Sequence, residues 1–101
     1  MRRVIIITNS ATVTAGVRNQ LTAYLEGRGY SVWHWFEDAW LLDGVPEDVS
    51  MAVIRDQIKA AIPGLPQFLV ILSHDGTGSL SGLAPTDSVA WLNEHWHKPR
   101  G

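Results

Sequence analysis

Val4, Ile5, Ile6 and Ile7 form an unbroken β-branched run that stops at Thr8, Asn9 and Ser10. A segment apolar at every position has no side to turn to water, so it predicts a strand covered on both faces. Beyond it, Val13, Val17, Leu21, Tyr24 and Leu25 recur at the spacing of one helix face. Ser10 or Thr12 is available as the N-cap, and Gly27 and Gly29 close the segment. Ser31 to Phe36 is rich in aromatic and β-branched residues, Glu37-Asp38 interrupts it, and Ala39-Trp40-Leu41-Leu42 resumes it, which reads as a hairpin. Asp43 to Glu47 reads as a turn-rich connection. Asp48 or Ser50 then caps a second helix striped by Met51, Ile54, Ile58 and Ile62, and Pro63-Gly64 halts it. Phe68 to Leu72 predicts another strand, His74 to Ser79 a glycine-rich loop, and Asp87 to Trp96 a short closing helix.

The element order is β-α-β-β-α-β with an extra C-terminal helix, which predicts an α+β, ferredoxin-like domain with two helices on one face of an antiparallel sheet. The alternative merges the hairpin into one strand and a loop, giving a small parallel three-stranded α/β domain. Either way, 101 residues make a single domain spanning 1–101. Strand alternation in 31–36 sets Val32, His34 and Phe36 on one face and Trp33 and Trp35 on the other, so both faces are apolar. Two helices cover only one of them. Burying a Trp pair at about 25 cal/mol per Å² is worth several kcal/mol, so the second face is expected to be closed by the terminal helix with Trp91, Leu92 and Trp96, by a second copy of the chain, or by both. The interface candidates are Trp33, Trp35, Trp40, Trp91 and Trp96, and the chain is expected to form a homo-oligomer.

Composition narrows the partners less than the fold. With no cysteine there is no disulfide framework and no thiolate metal site, which fits a reducing cytosol. The apolar run after Met1-Arg2-Arg3 ends after four residues, too short for a signal or membrane segment, so a soluble, cytoplasmic protein without membrane contact is expected. A formal net charge of -2 supplies no global basic field for nucleic acid. Arg2, Arg3, Arg18, Arg28, Lys98 and Arg100 still leave room for a local basic edge.

Asn9 and Ser10 stand between the first strand and the first helix, where α/β proteins hold polar ligands near backbone amides and where capping residues also belong. His74-Asp75-Gly76-Thr77-Gly78-Ser79 invites a phosphate, but Ser81 stands where a dinucleotide fingerprint needs Gly, and Leu80 stands where a serine elbow needs its nucleophile. As a ligand loop its candidates are His74, Gly76, Gly78 and Ser79, together with Asn9. His95 and His97 beside Glu94 diverge on a helix and make a poor metal pair. His34 between two Trp reads as a packed imidazole bonded to the backbone. Glu37, Asp38, Glu47 and Asp48 fall in turn and capping positions and form no acid and base pair. The first strand carries no aromatic on which a base would stack, against an RNA-recognition motif.

This layout, with Trp33-His34, Trp40-Leu41-Leu42, Leu69-Val70-Ile71 and Trp91-Leu92 and a second helix over 48–62, resembles small ferredoxin-like proteins related to the CRISPR-associated spacer-acquisition nuclease subunit, above all a SinR-like family. The resemblance covers most of the chain and implies a homodimer. It also implies a divalent metal held by an Asp at the end of the first strand of both protomers. Here that region is Thr8-Asn9-Ser10, and a neutral amide is a weak ligand for a hard cation. The favoured reading is therefore a non-catalytic homodimeric module that binds a protein, RNA or DNA partner and needs no cofactor. The alternatives are a metal-dependent ribonuclease, with Asn9 or Ser10 orienting water and Asp38 or Asp75 supplying the carboxylate, and small-molecule or anion binding at 74–79.

Overall fold

A computed structural model describes residues 2–73 and 86–96. It contains β1 (Arg2–Thr8), α1 (Ala15–Gly27), β2 (Ser31–Phe36), β3 (Ala39–Val45), α2 (Met51–Ala61), β4 (Phe68–Leu72) and α3 (Thr86–His95). The strands make a four-stranded sheet in the order β2-β3-β1-β4, and every neighbouring pair is antiparallel. The small parallel α/β alternative is overturned: Glu37-Asp38 reverses the chain, and 39–45 is a full strand hydrogen-bonded between β2 and β1. Among the described residues no helix is long and apolar enough to cross a membrane.

Local chemistry sets the helix boundaries. Asn9 accepts the Ala11 N–H on its side chain at 3.0 Å and the Thr12 N–H on its backbone carbonyl at 3.0 Å. That turn uses up residues 9–12, so the cap of α1 is Thr14, not Ser10 or Thr12, and its Oγ1 accepts the Val17 N–H at 3.2 Å. Ser50 caps α2 by accepting the Val53 N–H at 3.1 Å. Gly29, with φ at 87°, lets the chain leave α1 and enter β2.

The core lies between the inner sheet face and α1 and α2. Val4 and Ile6 of β1, Trp40 and Leu42 of β3, Leu21 and Leu25 of α1, and Ile54 and Ile58 of α2 are buried there. The Trp40 indole N–H donates to Thr22 Oγ1 at 2.9 Å, so this large ring is buried with its polar atom satisfied. The His34 ring stacks on Trp40 with centroids 4.0 Å apart, and its Nδ1 lies 3.0 Å from the Ala39 carbonyl oxygen.

One strand departs from simple alternation. Trp33 pairs with Leu41 and Phe36 with Ala39, so three steps along β2 oppose two along β3 and a bulge falls at His34-Trp35. Phe36 is thereby turned away from the face of Val32 and His34 and joins Trp33, against the expectation from sequence, and the two rings meet edge to face at 5.4 Å. A second irregularity, with Gly44 at φ 87°, extends β3 through Asp43-Gly44-Val45, a stretch expected to be a connection.

Candidate association surface

The outer sheet face, opposite α1 and α2, is ordered in rows that run across the strands. The first row is polar: Ser31 of β2 pairs with Asp43 of β3, Arg3 of β1 lies next along, and the Arg3 carbonyl accepts the Ser73 N–H at 2.9 Å. In the second row Trp33 pairs with Leu41, Leu41 with Ile5 and Ile5 with Ile71. In the third, Phe36 pairs with Ala39, Ala39 with Ile7 and Ile7 with Leu69.

Helix α3 closes the polar row. Asp43 is 1% exposed and has its Oδ2 2.8 Å from His95 Nδ1, while its Oδ1 accepts the Gly44 N–H at 2.9 Å. A carboxylate only accepts, so the hydrogen of the His95 contact sits on Nδ1. Arg3, wholly buried, donates from Nε to the His95 carbonyl at 2.6 Å, and the Trp91 indole donates to Ser31 Oγ at 3.0 Å. Trp96, at the end of the helix, is buried and its ring stacks beside Trp91. Each sheet residue of the row offers a polar handle, and the helix answers each handle named here.

Nothing among the described residues closes the apolar row. Ile7 is 39% exposed, Phe36 62% and Leu69 61%, and Ile71 of the second row is 39% exposed. These side chains are contiguous because the row crosses all four strands. Large apolar groups gathered this way mark association sites, whereas single exposed ones do not.

The expected interface tryptophans divide accordingly. Trp40 is interior and is removed from that set, since its ring faces α1; Trp33 and Trp96 are also buried within the chain, Trp91 is half-buried against β2, and Trp35 is exposed at the bulge. Among the described residues the Trp33 indole N–H is buried without a hydrogen-bond partner.

At the end of β1 a groove of about 670 Å³ opens between β1, β4 and α2, lined by Thr8, Asn9, Arg55, Lys59, Gln67 and Leu69 among others. Asn9 is committed there, donating from Nδ2 to Gln67 Oε1 at 3.1 Å while its Oδ1 holds Ala11. Asp38 is not among the lining residues. Its carboxylate accepts the Thr8 hydroxyl at 2.8 Å and lies 3.8 Å from the Arg18 guanidinium, which also approaches Glu37 at 3.9 Å. Asn9 and Asp38 therefore flank Thr8 without converging on one pocket, and Ser10 is exposed beside them. On α2, Arg55 and Asp56 bond at 3.0 Å; that hydrogen bond holds the Asp56 carboxyl below its ordinary value and the Arg55 guanidinium above its own. Among the described residues no three His, Asp or Glu side chains cluster as metal ligands. His74, Asp75, Gly76, Gly78, Ser79 and His97 lie outside the described residues.

Sequence reasoning missed the polar row. The signal was Arg3 inside a strand buried on both faces and Asp43 at the end of an apolar one, two charges that cannot be buried without partners. Comparison with protein-family models, with curated proteins and with solved structures returns no match.

Proposed function

We propose that this chain is a non-catalytic, homodimeric module in the ferredoxin-like arrangement, resembling the small relatives of the spacer-acquisition nuclease subunit in architecture, and that it acts in the cytoplasm by protein association. The observation that carries the reading is the apolar row of Phe36, Ile7 and Leu69, which no described residue covers, beside a row that α3 closes with polar anchors. Stable protein interfaces bury about 800 Å² per partner around an apolar centre, and a contiguous row across a whole sheet supplies such a centre. Of the exposed apolar side chains in these rows only Phe36 is aromatic, and Ile7, Leu69 and Ile71 are aliphatic and offer no π face to a base, which favours protein over nucleic acid as the occupant.

The ribonuclease reading draws no such support. Asn9 has both side-chain polar atoms engaged within the chain, and Asp38 is held by Thr8 beside Arg18. Light scattering from micromolar to millimolar protein tests the association. A mass twice the 11.2 kDa of the chain supports it, and a monomer at every concentration removes it. Divalent-metal titration against RNA tests the competitor: no cleavage is expected, and metal-dependent cleavage abolished by Asp38→Ala would replace this reading.

A further inference from the structure

β2 and β4 form the two edges of the sheet, and each presents a row of backbone N–H and C=O groups that no described strand pairs. Such an edge is a template for another strand unless a bulge, a charge or a proline spoils it. The bulge at His34-Trp35 disrupts β2. β4 reads Phe-Leu-Val-Ile-Leu, with no charge, no Pro and no Gly, and its register with β1 is regular throughout.

The Ser73 N–H donates to the Arg3 carbonyl, so positions 69, 71 and 73 turn their hydrogen-bonding groups toward β1, and Phe68, Val70 and Leu72 turn theirs to the free edge. Around Val70 the sequence is symmetric in kind: Gln67 and Ser73 are polar, and Phe68, Leu69, Ile71 and Leu72 between them are apolar. A two-fold antiparallel pairing about Val70 sets Leu69 opposite Ile71, Phe68 opposite Leu72 and Gln67 opposite Ser73. Apolar side chains meet apolar ones, and the outward backbone groups fall in the hydrogen-bonded pairs. Leu72, 48% exposed, gains a neighbour in Phe68 of the second copy. Charge is also compatible. Arg55 and Lys59 line the groove at the Phe68 and Leu69 end of the strand, and the two-fold axis sends these cations of the two copies to opposite ends.

We infer that β4 is the self-association edge of this protein: two copies join their β4 strands about Val70 into one continuous sheet whose outer face carries both apolar rows. The inference rests on the homodimer reading above and gives it a register.

Because the chain has no cysteine, a single introduced thiol reports on its own position. Val70→Cys in the full chain should form a disulfide dimer under mild oxidation, since hydrogen-bonded antiparallel pairs hold their Cα atoms about 5.5 Å apart, within disulfide reach. Pairing holds the two thiols at millimolar effective concentration, so the reaction should run roughly a hundredfold faster than for the exposed control Glu47→Cys. Leu69→Cys and Ile71→Cys should each crosslink poorly alone and well when mixed, a pattern that loss of folding does not produce. A dimer by mass in which Val70→Cys reacts no faster than the control overturns the β4 pairing and leaves the homodimer standing; a monomer by mass overturns both.

Discussion

The two ends of the outer sheet face solve the same problem in opposite ways. At the polar end, Ser31, Asp43 and Arg3 are matched by Trp91, His95 and the His95 carbonyl of α3. At the apolar end, Phe36, Ile7 and Leu69 have no described cover. Hydrogen bonds are directional and buried polar atoms are costly when unpaired, so polar handles select one helix in one pose. Apolar area is indifferent to what covers it, provided water leaves. Among the described residues, the chain thus supplies a cover where the face carries charge and none where it is apolar. The edges follow the same division: β2 lies under α3 and is bulged, whereas β4 beside the bare end is regular.

Breaking the polar end should cost most. Asp43→Ala removes the buried carboxylate that holds His95 Nδ1 and the Gly44 N–H, and losing hydrogen bonds to a buried charged group costs about 2 to 3 kcal/mol, read as a lower urea midpoint with loss of the near-ultraviolet signal of Trp91 on α3. A change below about 0.5 kcal/mol would mean that α3 is not anchored there. Trp91→Phe keeps an aromatic ring but removes the indole N–H that bonds Ser31 together with part of the ring's packing, so unfolding should show a loss of about 1 to 2 kcal/mol. At the apolar end, Leu69→Asp should leave unfolding of the isolated monomer within about 0.5 kcal/mol of the parent, because the side chain is exposed, while halving the mass seen by light scattering. A dimer unaffected by that charge would detach association from the bare row. The smallest effect lies away from both ends. Asp56 titrates below its ordinary value because Arg55 bonds to it, so its small contribution to stability is present above the ordinary carboxylate range and disappears as pH falls through the depressed value. Both side chains are exposed, so the shift should be visible by NMR titration and absent in Arg55→Gln, with no detectable change in unfolding.

All seven elements were legible in the pattern of apolar positions, and so was the need for a cover on the second face, by the terminal helix, a second copy of the chain, or both. Periodicity shows which residues want burial, and in β1, α1, α2 and β4 it had no competing signal. It misplaced Phe36 because a bulge adds one residue without leaving any mark in composition. It ended β3 too early because Asp43-Gly44 has the chemistry of a turn, and only pairing with Ser31 and the Arg3 segment keeps it in the sheet. Trp40 shows the remaining limit: five tryptophans announced a large apolar area, but which of them faces inward depends on register with Ile6 and on the Thr22 hydroxyl across the core. Of the site, the polar fragment Thr8-Asn9-Ser10 was visible, whereas the rows of the outer face, being made by four strands at once, were not.

Hydrogen exchange of the β4 amides as a function of protein concentration is the most direct test. If two copies pair about Val70, the amides of Phe68, Val70 and Leu72, which face outward from the sheet, should exchange more slowly as concentration rises, while that of Ile71, already bonded toward β1, changes little. Exchange of Val70 and Leu72 at a rate independent of concentration, in a protein that stays at 11.2 kDa, would contradict the account.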